Sequence, residues 1–265
     1  MIKEYANGRE FIEDNKAFLD QNRYMSAFFY LDAELLEQTN KSDYAMKITD
    51  DPHVMVAMKV SKYNLMLYGD KECTGELMHY LQENGYQFSG VLCASDVGEE
   101  LMKVSEELSG KEYRLLIGMD FMETREYTEP SSDEVVHPTE DDIDEMFEMA
   151  GNFIVDCGLP DQIEKEKLLA RLNDFRIIRD NDTIVSMAAV KPDTDTSCKI
   201  SYVYTRPQYR GKGYGRKVVN SIKNEILAMD RTATLNVDQA NPISNHIYES
   251  LGFRKVFSQG VYVLK

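Results

Sequence analysis

The sequence predicts an α/β protein in two parts, and three patterns support this prediction. First, short apolar runs typical of strands alternate with segments whose apolar residues recur at helical spacing. Second, a polar segment containing proline at 126–133 reads as a linker between an N-terminal domain at 1–125 and a C-terminal domain at 134–265. Third, a strand in the C-terminal part leads into a glycine-rich turn that opens a helix. Each part is long enough to bury its own core.

The N-terminal part begins with helical spacing and continues as alternating strands and helices. Phe11, Phe18 and Leu19 share one apolar stripe, and a second stripe follows between Leu31 and Leu36. Glycines at 85 and 110 mark the ends of two later helices. The predicted elements are strands at 54–58, 64–68, 91–94 and 113–122 and helices at 72–84 and 97–108.

The C-terminal part starts with Thr139, which can cap a helix that runs through Ala150. A second helix is predicted from Asp161 to Leu172, and the Asn181-Asp182 turn predicts a hairpin. The remaining predicted elements are strands at 175–179, 183–191, 199–205, 232–238 and 256–264 and helices at 216–229 and 242–251.

The charge of the chain is divided unevenly. Over 265 residues there are 30 Lys and Arg against 46 Asp and Glu, a net charge of −16. From Cys198 to Lys265, however, eleven basic residues face four acidic ones. An acidic total argues against general binding of nucleic acid, which needs a basic face. No stretch has the apolar length of a membrane span or a signal-peptide core, so we expect a cytoplasmic protein without membrane partners.

The cysteines and histidines exclude two further classes of site. Cys73, Cys93, Cys157 and Cys198 form no Cys-x-x-Cys pair, so we interpret them as reduced thiols. The four histidines lack the spacing of metal ligands, so no metal is expected.

The strongest local signal is the segment Arg210-Gly211-Lys212-Gly213-Tyr214-Gly215-Arg216, which follows the strand ending in Val203-Tyr204-Thr205. Glycines let backbone N–H groups approach an anion, and a helix N-terminus adds partial positive charge. Arg210, Lys212, Arg216 and Lys217 add full charges, so the turn should hold a phosphate or pyrophosphate. The spacing fits neither a Walker loop nor a dinucleotide fingerprint. A plain glycine turn with solvated basic residues is the alternative.

A second signal is a short helix with clear ends. Asn241 is a good N-cap, Pro242 occupies the first helical position, and Gly252 suits a left-handed C-terminal cap. One face is apolar. The other carries polar side chains that need partners, those of Asn241, Ser244, Asn245 and Tyr248.

Together these two segments resemble the GCN5-related N-acetyltransferase (GNAT) superfamily. The first is similar to its R-x-x-G-x-G pyrophosphate loop, and the second to its N-P-x-x-N-x-x-Y-x-x-x-G-F motif. The resemblance covers 134–265 and is strongest over 200–253. It is closest to bacterial two-domain members, which implies a mixed sheet flanked by helices in the C-terminal domain. The smaller N-terminal α/β domain would be a diverged half of the same kind.

The resemblance also implies roles for individual residues. Val203, Tyr204 and Thr205 would pair through their backbone with the pantetheine arm of acetyl-CoA. Arg210, Gly211, Lys212, Gly213, Tyr214, Gly215 and Arg216 would wrap its pyrophosphate. Asn241, Ser244 and Asn245 would complete the cofactor site. Tyr248 would lie near the thioester sulfur as the general acid that protonates the leaving thiolate. Simple aromatic packing beneath Gly252 is the alternative for Tyr248.

The acceptor side is less specified. Many superfamily members carry a glutamate on the strand before the loop, but residues 198–205 contain no carboxylate, so the general base stays unassigned. Asp238 is a candidate, and an ordinary strand-end turn explains it equally well. Between 141 and 172, carboxylates at Asp156, Asp161, Glu164 and Glu166 could attract a cationic amine or simply form a solvated face.

The sequence therefore predicts an acetyl-CoA-dependent N-acetyltransferase that acts on a primary amine of a small molecule or peptide. The alternative, from another class, is a non-enzymatic acyl-CoA-binding regulatory module. The missing strand carboxylate favours that alternative, whereas the complete loop and Tyr248 favour the enzyme. The acyl length and the choice between monomer and homodimer are left open.

Overall fold

A computed structural model of the chain describes residues 1–36, 42–158 and 163–265. The strands are β1 Ile2–Tyr5, β2 Tyr44–Asp50, β3 His53–Lys59, β4 Leu65–Gly69, β5 Gly90–Ala94, β6 Tyr113–Thr124, β7 Phe175–Asp180, β8 Thr183–Thr194, β9 Ser197–Thr205, β10 Thr232–Asp238 and β11 Arg254–Leu264. The helices are α1 Gly8–Leu19, α2 Arg23–Leu36, α3 Thr74–Glu83, α4 Ser95–Ser109, α5 Ile143–Asp156, α6 Lys165–Ala170, α7 Tyr214–Ala228 and α8 Pro242–Ser250.

The chain forms two compact units. The first contains Met1–Asp120, Asp238–Ala240 and Phe257–Lys265, and the second contains Phe121–Val237 and Asn241–Val256. This division differs from the sequence-based one at 126–133. The first boundary falls inside β6, and the last nine residues of the chain return to the first unit, where Gln259–Val263 pair with β5.

In the first unit the strands lie in the order β1-β2-β3-β4-β5-β11. Neighbours are antiparallel except β4 and β5, which are parallel. Successive residues of β3 point to opposite faces: Met55 and Ala57 enter the core under α3 and α4, whereas Val56 and Met58 enter the core with α1 and α2. Helices therefore cover both faces of this sheet.

In the second unit the order is β10-β9-β8-β7, with β10 and β9 parallel and the other neighbours antiparallel. Val219 and Ile222 of α7 lie in one core, with Leu251 and Phe253 following α8. Met146 of α5 and Leu168 of α6 lie in the other. The predicted α/β class, with a mixed sheet flanked by helices, is confirmed.

Local signals gave several elements correctly. The hairpin turns at Asn181, whose φ of 55° is left-handed, between β7 and β8. Thr139 and Asp142 form a reciprocal capping box, and α5 then continues to Asp156, well past Ala150. The helix predicted from Asp161 is shorter, at Lys165–Ala170, and Asp161 itself lies outside the described residues.

The segment at 126–133 is bound to α7 by several hydrogen bonds. Asn220 Nδ2 donates to the carbonyl of Pro130 at 2.9 Å, and Asn224 Nδ2 donates to that of Glu129 at 2.9 Å. Lys223, which is completely buried, donates from Nζ to Thr128 Oγ1 at 2.7 Å. This stretch is thus an integral layer over α7.

Candidate acetyl-transfer site

The second unit contains an irregular strand, β9, at the position where the cofactor strand was predicted. Against β8, Met187 pairs with Tyr204 and Ala189 pairs with Ser201, and the register shifts between them. Two residues of β9, Tyr202 and Val203, therefore stand opposite Ala188. Tyr202 has a φ of 50°, which is uncommon for a residue with a side chain. Such bulges bend a strand and are frequent next to active sites.

The other edge of β9 is only partly used. Its parallel ladder with β10 runs from the Ser197–Thr232 pair to the Ile200–Leu235 pair, and in the described structure it extends no further. The edge of 201–205 that faces β10 therefore has backbone groups outside the ladder. An extended ligand can pair with such an edge as an additional strand would.

The glycine turn begins immediately after this edge. Gly211 and Gly213 have φ values of 79° and 83°, which L side chains rarely adopt. Gly213 occupies the N-cap of α7 and supplies no side-chain cap. The first N–H groups of α7 lack acceptors within the helix and can therefore point at an anion. A Cβ on either glycine would meet nothing within 4 Å, so the backbone conformation, and not crowding, requires glycine.

Three of the four basic side chains at the turn are paired with carboxylates. Arg216 donates to Glu129 Oε2 at 2.7 Å and also to the Ser250 hydroxyl. Lys217 Nζ donates to Glu134 at 2.5 Å. The Lys212 ammonium lies 5.1 Å from the centre of the Tyr209 ring. An incoming pyrophosphate would thus exchange with carboxylates that already hold these side chains.

Arg210 is folded back along the end of β9. Its Nε donates to the Thr205 carbonyl at 3.0 Å, and its Nη2 donates to Asp156 Oδ2 at 2.7 Å. Its guanidinium lies 5.6 Å from the Tyr204 ring centre. Arg210 therefore joins the strand end to the last turn of α5, a contact that the motif alone does not indicate.

Arg206 makes a similar contact with α5, two to three turns before Asp156. Its guanidinium binds Glu145 at 3.0 Å and Glu148 at 2.9 Å on α5, while its Nε donates to the Ile184 carbonyl. Sequence reasoning did not single out these carboxylates, since a glutamate on a predicted helix has no local signal for a partner about 60 residues away. Together Arg206 and Arg210 fix α5 against β9.

Helix α8 has the predicted N-terminal geometry. Asn241 Oδ1 accepts a hydrogen bond from the Ser244 N–H at 3.1 Å, and Asn245 Nδ2 donates to the Asn241 carbonyl at 2.8 Å. The polar groups of Asn241 and Asn245 thus have partners within the helix. This cap fixes the start of the helix that carries Tyr248.

Tyr248 is buried, with 7% of its surface exposed, and its ring contacts Phe253 edge-on with centroids 6.0 Å apart. Burial raises the pKa of its hydroxyl well above the ordinary value of 10. The negative charge of Cys157 when ionised, next to the end of α5, raises this pKa further, whereas a hydrogen bond with the Ser244 side chain lowers it. The hydroxyl is therefore protonated at neutral pH, and it can donate a proton but cannot act as a base. The ring contact also agrees with the packing alternative.

Among the predicted acceptor-side carboxylates that the structure describes, two are paired with basic side chains. Asp156 binds Arg210, and Glu164 binds Lys167 at 2.8 Å. Glu166 is exposed, and Asp161 lies outside the described residues. Asp238, the candidate base, belongs to the first unit and accepts the Ala240 N–H at 2.8 Å, as a strand-end turn requires.

The described residues contain no group of three or more His, Cys, Asp or Glu side chains that could hold a metal ion. Every helix among the same residues is too short or too polar to cross a bilayer.

Comparison with known proteins supports the family suggested by the motifs. Residues 177–263 match the model of the FR47-like protein family. No curated protein matches the sequence. Among solved structures, a GNAT-family acetyltransferase from Colwellia psychrerythraea is similar over 100% of this chain and 99% of its own, with a TM-score of 0.65 and 9% identity.

Two other structures agree with that match. A GCN5-related N-acetyltransferase from Sphaerobacter thermophilus covers 82% of this chain and 79% of its own, with a TM-score of 0.57 and 12% identity. One from Kribbella flavida covers 82% and 88%, with a TM-score of 0.51 and 12% identity. Identities this low establish the fold alone. The resemblance of this chain to the GCN5-related N-acetyltransferase superfamily is thereby confirmed, by the family model over 177–263 and by the fold.

Proposed function

We propose that this protein is an acetyl-CoA-dependent N-acetyltransferase that acetylates a primary amine of a small molecule or peptide by direct attack on the thioester. One observation carries the proposal. The edge of β9 at 201–205, which does not pair with β10, is followed by a turn with left-handed glycines at the N-terminus of α7. An extended ligand with amide groups could pair with the strand edge, and a pyrophosphate at one end of it could bind the glycine turn.

The residues present fit acetyl-CoA, which when bound would supply an activated acetyl thioester. Val203, Tyr204 and Thr205 offer backbone donors and acceptors to the pantetheine amides. Gly211, Gly213 and Gly215 leave the first N–H groups of α7 open to the pyrophosphate, and Lys212 and Arg216 add charge. Gly215 also lies close to β9, since a Cβ there would be 3.2 Å from Thr205 Oγ1.

Tyr248 is the proposed proton donor to the leaving thiolate. Its hydroxyl is protonated at neutral pH, and its hydrogen bond with Ser244 orients it. A backbone N–H at the bulge of β9 would polarise the reacting carbonyl. Residues 198–205 carry no carboxylate, so the general base stays unassigned; an amine that arrives already neutral, or that loses its proton through water, would need no base.

The first unit is proposed to be a diverged half of the same fold. It too has one parallel strand pair, β4 and β5, within an otherwise antiparallel order.

The proposal is tested with the full chain, acetyl-CoA and a panel of primary amines, by following free CoA with a thiol reagent. We expect amine-dependent release that Tyr248→Phe reduces strongly while CoA affinity by calorimetry is kept. Tyr127→Phe, at an exposed tyrosine of the same unit, is the matched control.

The packing of Tyr248 against Phe253 and the lack of a strand carboxylate favour a second function, a non-enzymatic acyl-CoA-binding module. That function predicts tight CoA binding with no amine in the panel accelerating thiol release. It also predicts that Tyr248→Phe changes the melting temperature and not a rate.

A further inference from the structure

A cavity of about 470 Å³ lies within the first unit and is lined by residues of that unit. This volume falls within the usual range for small-molecule sites, about 300–1,000 Å³. Its walls include three aromatic rings, those of Phe18, Tyr68 and Phe257, and two carboxylates, those of Asp70 and Asp96. The acetyl-transfer proposal uses none of these residues.

The topology places this cavity where ligands commonly bind. Parallel strands β4 and β5 pair through Leu65–Val91 and Met66–Leu92, and the cavity lies beyond their carboxyl ends, against Gly69 and Ala94. In open α/β sheets, the crevice outside the carboxyl ends of parallel strands is the usual ligand position.

The chemistry of this crevice excludes a pyrophosphate. The connection after β4 is Asp70-Lys71-Glu72-Cys73, which has no glycine and two carboxylates. At the start of α4, Asp96 Oδ1 accepts the Val97 N–H at 3.0 Å and so occupies an amide that an anion would need. The described lining contains no Lys or Arg. The crevice therefore repels phosphate groups.

The same groups favour a cation. Asp70 uses Oδ2 to accept the Val54 N–H at 2.9 Å. The hydrogen bonds among the described residues use Asp70 Oδ2 and Asp96 Oδ1, and the other oxygen of each carboxylate accepts none. The Phe18 and Tyr68 rings lie 5.0 Å apart at an angle of 46°, and aromatic faces attract ammonium groups. We propose that this cavity binds a small organic cation with an apolar body, such as an arylalkylammonium ion.

The test uses the absence of tryptophan from the chain. Phe18→Trp places the chain's single tryptophan at the cavity, and Phe28→Trp, at an exposed position on α2, is the matched reporter control. The probe is benzylammonium, with benzyl alcohol as its neutral isostere. We expect a saturable fluorescence change with benzylammonium in Phe18→Trp only, and much weaker binding of the alcohol.

In the Phe18→Trp chain, Asp70→Asn with Asp96→Asn should weaken benzylammonium binding about tenfold, since two carboxylates lose their charge. Each asparagine keeps an oxygen for its backbone N–H, so the fold should be retained. Glu34→Gln with Glu107→Gln removes the same charge from exposed sites of the same unit and should change nothing. If the double variant with Asp70→Asn and Asp96→Asn shows no melting transition and is therefore unfolded, Asp96→Asn alone should still weaken benzylammonium binding about threefold. Equal affinity for benzyl alcohol, an equal response in Phe28→Trp, or unchanged binding in the asparagine variants overturns the proposal.

Discussion

The contact between Arg210 and Asp156 makes the sharpest prediction about cofactor binding. In the structure the guanidinium of Arg210 is held by a carboxylate at the end of α5. If Arg210 contributes to pyrophosphate binding, it must leave Asp156 when acetyl-CoA arrives. Asp156→Asn removes the competing charge while keeping a side chain of the same shape. We therefore expect this variant to bind CoA more tightly than the natural chain.

The expected magnitude follows from the distance and exposure of the pair. Two unit charges 2.7 Å apart attract by about 1.5 kcal/mol in bulk water. The two side chains are 51% and 46% exposed, so ionic screening and the entropy of ordering both side chains reduce this to about 0.5–1 kcal/mol. Abolishing that competition should tighten CoA binding about two- to fivefold.

The assay is calorimetric titration of the full chain with CoA at low salt, where exposed charges act most strongly. Asp144 lies on α5, as Asp156 does, and Asp144→Asn loses a contact with Lys165 of α6; this variant is the matched control and should leave CoA affinity unchanged. Arg210→Gln should weaken CoA binding, and adding Asp156→Asn to it should have no further effect. Weaker CoA binding by Asp156→Asn would refute competition and show that the carboxylate positions Arg210 in the complex.

Three further predictions concern other residues of the second unit. Tyr248→Phe should lower kcat about 10²–10⁴-fold with CoA affinity unchanged, measured by thiol release and calorimetry; equal turnover at several pH values would remove Tyr248 from the mechanism. Gly213→Val should block CoA binding, because a β-branched side chain would have to adopt a φ of 83°. Gly75→Val, at a helical glycine with open space around it, is the control and should leave CoA binding unchanged. Normal CoA affinity in Gly213→Val would contradict the loop assignment. Burial lowers the pKa of the Lys223 ammonium below 10.5, so the charged form of this group destabilises the folded state. The free energy of unfolding should therefore increase as pH rises from the folded-state pKa towards 10.5. Urea unfolding should show this increase with pH in the natural chain and in the control Lys62→Met, at an exposed lysine, but not in Lys223→Met. An equal increase in Lys223→Met would assign the effect to another group.

Features governed by local chemistry were predictable from the sequence. The Asn241 cap, the Pro242 start and the left-handed glycines of the loop each depend on neighbours a few residues away. The bulge at Tyr202 was not predictable, because tyrosine has no preference for a positive φ and only the pairing with β8 imposes it. Likewise, the residue at which β9 leaves β10 is set by tertiary pairing.

Long-range partners account for the other differences. The strands β1 and β2 were missed. The first has only four residues, too few for alternation to identify a strand, and the burial pattern of β2 does not alternate along its length. The last strand pairs with β5, about 170 residues earlier, so composition at 126–133 could not reveal that the chain returns to the first unit. Glu129 read as part of a polar connection and Glu134 as the first residue of the C-terminal domain, and only the fold brings them to Arg216 and Lys217.

These carboxylates change the meaning of the uneven charge. The basic C-terminal stretch suggested a turn with free positive charge for binding phosphates. In the structure, however, acidic residues between 129 and 156 form ion pairs with Arg210, Arg216 and Lys217. If the proposed cofactor binds at this turn, its pyrophosphate would replace these carboxylates as the partner of the basic side chains, and the uncompensated attraction would come chiefly from Lys212 and the open N–H groups of α7. Part of the acidic excess in the first 197 residues thus has a structural use, because it holds the basic side chains of the turn in place.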